Sequence, residues 1–361
     1  MAGKITRTDC LRTAYVTADA ADEINYTERQ FNTAALFALP VRLVIGWTYF
    51  SAFWRRVGLE DKLNPDVPGY VGEKFNHFLP NALGIGPIIE HLLTHPGLLA
   101  VAMTVFTIVE GIVGICVIVG LCTRIMSLAV LGLAFGILVS AGWLGTTCLD
   151  EWQIGILGVA SGFMLFLSGG GRYSLDRVLS AKYPRLAQRT RLNWLTSGAV
   201  TIKTPAVLTG SFAILALALF TNQQFHGGVY GPLHNTSVAP KIEVSEARVA
   251  GNSLLFQLYR TEGADVYGSF LIGVSVLDDT TGDTVIQLDG AQLSRLPEAA
   301  IANRYVAKVK PGAHSLIVPL GAKAQLTIDT GPTRWDGAHS YTLVLTDISG
   351  ATWKRAVETA S

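Results

Sequence analysis

Five apolar stretches constrain this chain more than any other feature. They run over about 34–54, 98–120, 124–144, 151–168 and 205–222. A helix needs roughly 17–25 residues to cross a bilayer core, at about 1.5 Å per residue, and each stretch fits, the last two tightly. Half of the 361 residues are hydrophobic and 15% are charged, and the mean hydropathy is +0.38, which belongs to a membrane protein. The first stretch ends in Trp47, Tyr49, Phe50, Phe53 and Trp54, a composition suited to an interfacial belt. Glycine recurs through the next three at Gly111, Gly114, Gly132, Gly136, Gly155, Gly158 and Gly162. Small residues let lipid-embedded helices approach closely, so a four-helix membrane bundle with a fifth, linking helix is expected.

Charge orients that bundle. Arg172, Arg177, Lys182, Arg185, Arg189, Arg191 and Lys203 follow the fourth stretch, opposed only by Asp176. Positive loops stay in the cytoplasm, so loops 55–97 and 145–150 and everything after about 223 are expected outside, with the N-terminus inside. Arg55 and Arg56 are misfits in this count. The expected organisation is a polar cytoplasmic segment over 1–33, without a secretory apolar core, a membrane domain over 34–180, a basic linker over 181–204, a fifth span over 205–222 and an external domain over 223–361. The expected location is the inner cell membrane, with the last domain in the periplasm or its equivalent. A formal net charge of +1 leaves no basic surplus for a nucleic-acid partner.

The portion after residue 223 changes character. Runs such as IEVSEARV, SLLFQLYR, GSFLIGVSVLDD, TVIQLDG, RYVAKV, AQLTIDT and SYTLVLTD are short and rich in β-branched and aromatic residues. Turn material separates them, including Ala250-Gly251-Asn252 and Thr281-Gly282-Asp283. This spacing predicts an all-β sandwich. The cysteines, at positions 10, 116, 122 and 148, all lie before it and show no metal-ligand spacing.

Several stretches carry a family resemblance: PVRLVIGWTYFSAFWR, NPDVPGYVGEKFNHFLP, EGIVGICVIVGLCTR, TTCLDEWQIG and YSLDRVL. On these, the first half resembles DoxD, the membrane subunit of thiosulfate:quinone oxidoreductase, within the DoxX-like group. HGGVYGPLHNTSVAP, LYRTEGADVYGSF and RYVAKVKPGAHSLIVPLGAKA make the second half similar to its companion DoxA. The resemblance implies oxidation of thiosulfate to tetrathionate, with quinone as electron acceptor. No GxGxxG, haem CxxCH or iron–sulfur spacing is present, so no flavin, haem or metal is expected beside quinone. The implied partners are thiosulfate, membrane quinone and the bilayer, with a homo-oligomer or a terminal oxidase served through the quinone pool. Two other classes stay open: a non-catalytic accessory or assembly subunit of a membrane redox complex, and a small sulfur-compound transporter.

Within that chemistry the residues divide by depth. In GTTCLDEWQIG, Thr147 and Asp150 have the spacing of a helix start, and Asp150 and Glu151 fall where the helix dipole favours acids. That account leaves Cys148, whose thiol would be outward and dipole-stabilised, as a candidate sulfur carrier, although a gap-filling cysteine is the commoner use. Arg42 and Glu110 lie about 12 and 15 Å deep at 1.5 Å per residue. An ion pair between them is geometrically open, either as a clamp or with Glu110 moving quinone protons. Arg55, Arg56 and His77 are candidates for attracting the dianion, with His91 and His95 weaker ones. Trp47, Trp143 and Trp152 are candidates for a quinone pocket, or for interfacial anchoring. Arg124 reads as a headgroup anchor, and Arg260 and Tyr267 as strand residues or a polar face.

Overall fold

A computed structural model of the chain describes residues 7–145, 150–183, 196–197, 202–264 and 268–359, without the side chains of 7–25 and 150. Helix α1 runs from Arg7 to Trp54 and passes through a π-helical turn, Arg55–Leu59. Short helices α2 (Glu73–Phe78) and α3 (Gly86–Thr94) precede α4 (Pro96–Val119), α5 (Thr123–Ala141) and α6 (Asp150–Ser168). Helix α7 (Leu175–Lys182) and the long α8 (Thr204–His226) complete the helical region. Among the described residues five helices are long and apolar enough to cross a membrane: Tyr26–Leu59, Pro96–Val119, Thr123–Ala141, Glu151–Ser168 and Thr204–His226. The chain is a multi-pass membrane protein followed by an all-β domain. The polar stretch before residue 34 is helical from Arg7 onward and continuous with the first span.

The chain packs as two compact units, one holding 1–55, 107–135 and 157–215, the other 56–106, 136–156 and 216–361. In the first, backbone approach at glycine brings α1 onto α4. A Cβ on Gly114 would lie 2.4 Å from the Phe50 nitrogen and 2.7 Å from the Gly46 carbonyl. Lipid supplies no hydrophobic force between helices, so such close contact carries the association. Ala38, Tyr49, Val113, Val117, Val130 and Leu165 form the core there. Phe37, Val44, Ile112, Phe212 and other apolar side chains face outward, as a lipid-facing surface requires.

The second unit contains the β-domain. One sheet has the order β1 (Lys241–Ala250), β2 (Ser253–Glu262), β8 (Lys323–Asp329), β5 (Ile301–Asn303). The other runs β10 (Thr352–Val357), β9 (Tyr341–Asp347), β3 (Ser269–Asp278), β7 (Leu316–Val318), β6 (Lys310–Pro311), with β4 (Thr284–Asp289) also on β3. Both sheets bury alternate residues in one core, Leu254, Phe256 and Leu258 from the first and Leu271, Val274, Val276, Leu343 and Leu345 from the second. That is a sandwich.

RYVAKV departs from expectation. Residues 304–309 form no strand, because their backbone donors are taken elsewhere. Ala307 N–H donates to Asn76 Oδ1 at 3.0 Å and Val309 N–H to Asn303 Oδ1 at 2.7 Å. The alternating burial of Tyr305, Ala307 and Val309 mimics a strand. The segment instead docks the 55–97 loop, with Asn76, fully buried, also donating to Gly321 O at 3.1 Å. Tyr305 Oη donates to Glu90 Oε1 at 2.7 Å, and Asn81 Nδ2 to Thr261 O at 3.0 Å.

Candidate functional sites

In the first unit two buried ionisable groups face different partners. Arg42, 3% exposed, donates from Nη1 to Gly170 O and from Nη2 to Tyr173 O, both at 2.6 Å. A helix end leaves carbonyls unpaired, and the turn after α6, with Gly169 and Gly171 at positive φ, aims its own towards α1. The acid whose field reaches Arg42 is Asp176, so the expected Arg42–Glu110 ion pair is replaced by a backbone clamp. Asp176 accepts from the Cys122 N–H (2.7 Å), the Thr123 N–H (3.0 Å), Thr123 Oγ1 (2.9 Å) and Ser197 Oγ (2.6 Å). Arg124 is 1% exposed and donates from Nε to Phe166 O at 3.1 Å. It caps the end of α6 and is no headgroup anchor.

Glu110 on α4 is 3% exposed, and its charge reaches Tyr49 on α1, itself 6% exposed. The Tyr49 hydroxyl donates to Val130 O at 3.4 Å.

The second unit holds a cleft of about 260 Å³. Asn81, Leu83 and Trp143 line it on one side, and Gln224, Phe225, His234 and Thr236 on the other. Trp143 is fixed by an Nε1–H bond to Phe78 O at 3.2 Å. Trp152 packs in the same apolar cluster and donates to Thr221 Oγ1 at 2.9 Å. His226 Nε2 lies 2.9 Å from Gly142 O. A carbonyl only accepts, so Nε2 carries the proton and the buried Nδ1, without a hydrogen-bond partner among the described residues, presents its lone pair. The loop that follows is stiff. Gln223 Oε1 accepts the N–H groups of Val229 and Tyr230, and Asn235 Nδ2 donates to Gly145 O at 3.0 Å. Ser237 Oγ rests against the same Gly145 carbonyl. Gly145 therefore fixes the start of GTTCLDEWQIG beside the cleft. Cys148 and Thr147, the expected helix start, lie outside the described residues, and the described part of α6 begins at Asp150.

Two family models match in tandem: TQO small subunit DoxD over residues 37–203 and TQO small subunit DoxA over 225–356. The chain belongs to the DoxD and DoxA families, joined end to end. TQO denotes thiosulfate:quinone oxidoreductase. The cleft takes Asn81, Leu83 and Trp143 from the DoxD portion and Phe225, His234 and Thr236 from the DoxA portion. Neither portion alone completes it.

The remaining candidates scatter. Trp47, 59% exposed, stands on the outside of α1 in the first unit. Arg55 is exposed and bonded only to Ser51 O among described partners, and the Arg56 guanidinium lies 6.0 Å over Phe106. His77 sits half-buried on α2, and His91 stacks on His95 at 4.4 Å on the surface. Glu151 is half-buried in the first turn of α6. Arg260 is a buried strand residue bonded to the carbonyls of Glu262, Val318 and Ala264, and Tyr267 lies outside the described residues. Tyr49, Asp176, His226 and His234 were not singled out from sequence. His226 and His234 bracket HGGVYGPLH, a visible signal for a loop returning to one place; Tyr49 was hidden in its aromatic neighbourhood.

Proposed function

We propose that this DoxD–DoxA tandem oxidises thiosulfate at the cleft face of the second unit and passes the electrons to a quinone taken from the bilayer. The observation that carries the reading is the cleft itself, built jointly by the DoxD and DoxA portions beside Gly145, three residues before Cys148. In the proposed reaction the Cys148 thiolate and one thiosulfate form Cys–S–S–SO₃⁻ and release two electrons. A second thiosulfate displaces the thiolate and leaves as tetrathionate. Quinone takes the two electrons and two protons and departs as quinol.

Roles follow from chemistry. Histidine and amide groups in the cleft, His234 and Asn81, suit sulfonate oxygens, and Arg55, Arg56 and His77 would raise the local dianion concentration on the face assigned to the outside. Asp150 and Glu151 serve the start of α6 electrostatically. Glu110, through Tyr49, supplies protons to quinone, and Arg42 holds the bundle that positions them. Trp143 and Trp152 give the cleft of the second unit its apolar wall; Trp47 is left to the lipid interface. Quinone is the only electron acceptor in this scheme.

Purified chain in lipid nanodiscs, given thiosulfate and a short-chain quinone, should reduce the quinone without any added protein. Absence of thiosulfate-dependent reduction in folded protein would turn the reading towards an accessory subunit. Thiosulfate uptake into vesicles lacking quinone would turn it towards transport. Replacing Cys148 by alanine should abolish tetrathionate formation; full activity would remove the adduct and leave direct oxidation of bound thiosulfate.

A further inference from the structure

The β-domain carries a second opening that the proposed reaction does not use. β1 and β10 are the end strands of their sheets. They meet in parallel at Arg248 and Glu358, where Val249 N–H donates to Glu358 O at 2.9 Å and Glu358 N–H to Ala247 O at 2.8 Å. On the other side of that junction β1 bulges between Ser245 and Arg248, with Glu246 at φ 52°. Bulges bend a strand away from its ladder, and among the described residues no β-bridge joins β1 to β10 beyond it. A cleft of about 590 Å³ occupies the gap.

The lining shows what kind of gap it is. Residues 242–245 of β1 and 352–355 of β10 all border it. Successive side chains of a strand point to opposite faces, so four consecutive residues can border one cleft only along the strand edge. Edges carry backbone N–H and C=O groups ready to pair with another strand. Two parallel edges also allow one inserted strand to run antiparallel to both, the more favourable ladder. On the floor, Glu243 pairs with Tyr259 and Tyr259 with Lys323 across the sheet, and Lys323 Nζ stands 5.4 Å over the Tyr259 ring.

Charge selects the occupant. Lys323, Lys354 and Arg355 border the cleft against the single acid Glu243. Lys354 and Arg355 are adjacent in β10 and so emerge on opposite faces, unable to converge on one small anion. They would instead flank both faces of a strand lying between the edges. A second copy of this chain would present the same basic edge and be repelled.

We propose that the β1–β10 seam receives an extended, acidic segment of a partner protein by strand addition, completing the ladder that the described residues close at Arg248–Glu358. The proposal stands independently of the sulfur chemistry. Its test uses the full chain in nanodiscs, with a short peptide alternating threonine and glutamate as probe and its lysine-for-glutamate counterpart as control. Hydrogen exchange read by mass spectrometry should be fast in the free chain at those amides of 242–245 and 352–355 that point into the seam, the alternate ones being held by β2 and β9, and slow at Val249 and Glu358. The acidic probe should slow exchange in both open segments, and the lysine peptide should not. The paired charge reversal K354E/R355E, at exposed positions, should exchange the two peptides' order of affinity by roughly tenfold and leave thiosulfate-dependent quinone reduction unchanged. Slow exchange in the free chain would overturn the proposal, as would failure of the acidic peptide to bind. Protection of Lys354 and Arg355 by sulfate or thiosulfate, but not by the peptide, would make the seam an anion site and overturn it equally.

Discussion

Arg42 in the first unit and Asn76 in the second are both shut away from solvent, at 3% and 0% exposure, and both bond to distant backbone. Arg42 stands in an apolar helix, so its cost is visible in the sequence before any partner is known. Asn76 comes from a polar loop that looks solvated, yet it joins residues 231 and 245 positions away. A buried polar group is conspicuous against lipid-embedded sequence and invisible in a loop. The two units also cohere differently, the first by helix backbones meeting at glycine and the second by a two-sheet core with polar rivets.

Breaking a rivet should have the largest effect on stability. Asn76→Ala leaves the Ala307 N–H and the Gly321 carbonyl buried without partners. At about 1–3 kcal/mol for each stranded group, the second unit should lose about 2–6 kcal/mol, read as a lowered unfolding midpoint in nanodiscs. A loss near zero would mean that the 55–97 loop is not held by this residue.

The corresponding cut in the first unit is smaller. Gly114→Ala places a methyl against the backbone of Gly46 and Phe50, which cannot rotate away as a side chain would. Overpacking of this kind costs about 1–3 kcal/mol, and the destabilisation should appear in the helical unit while the β-domain melts unchanged. Equal stability would show that α1 and α4 do not depend on glycine contact.

The smallest effect is electrostatic and confined to the β-domain. His339 Nδ1 lies 2.6 Å from Asp278 Oδ2. That hydrogen bond and the charge of Asp278 raise the His339 pKa despite partial desolvation. Burial works to raise Asp278, but the His339 bond and the amides of Thr280 and Thr281 hold it below its ordinary value. The raised histidine contributes stability that is complete below about pH 6.5 and lost as pH rises through its folded pKa. The lowered carboxylate contributes above about pH 4 and loses its share as pH falls through its own folded pKa. The β-domain midpoint should therefore peak between these limits, and His339→Ala should flatten the alkaline limb. An unchanged limb would assign the pH dependence elsewhere.

Legibility followed the same division. The five spans declare themselves because apolar runs of that length have few other uses. The strands declare themselves except at 304–309, where burial alternates as in a strand but Asn76 and Asn303 take the backbone donors. Arg42 and Glu110 stood out, but their partners did not, because carbonyls at a helix end and a tyrosine among other aromatics leave no distinctive pattern. The cleft was unreadable for another reason: it joins residues from Asn81 to Thr236, and only folding brings them together.

In the proposed reaction sulfur is oxidised at the cleft of the second unit and quinone is protonated through Glu110 in the first. The two steps come apart in the Glu110→Gln protein when quinone is replaced with ferricyanide, a water-soluble one-electron oxidant that takes up no protons. Thiosulfate-dependent ferricyanide reduction should continue at the wild-type rate, while quinone reduction falls by about a hundredfold, the scale of a lost proton-transfer group. Parallel loss of both reactions in folded protein, or retention of both, would contradict the account.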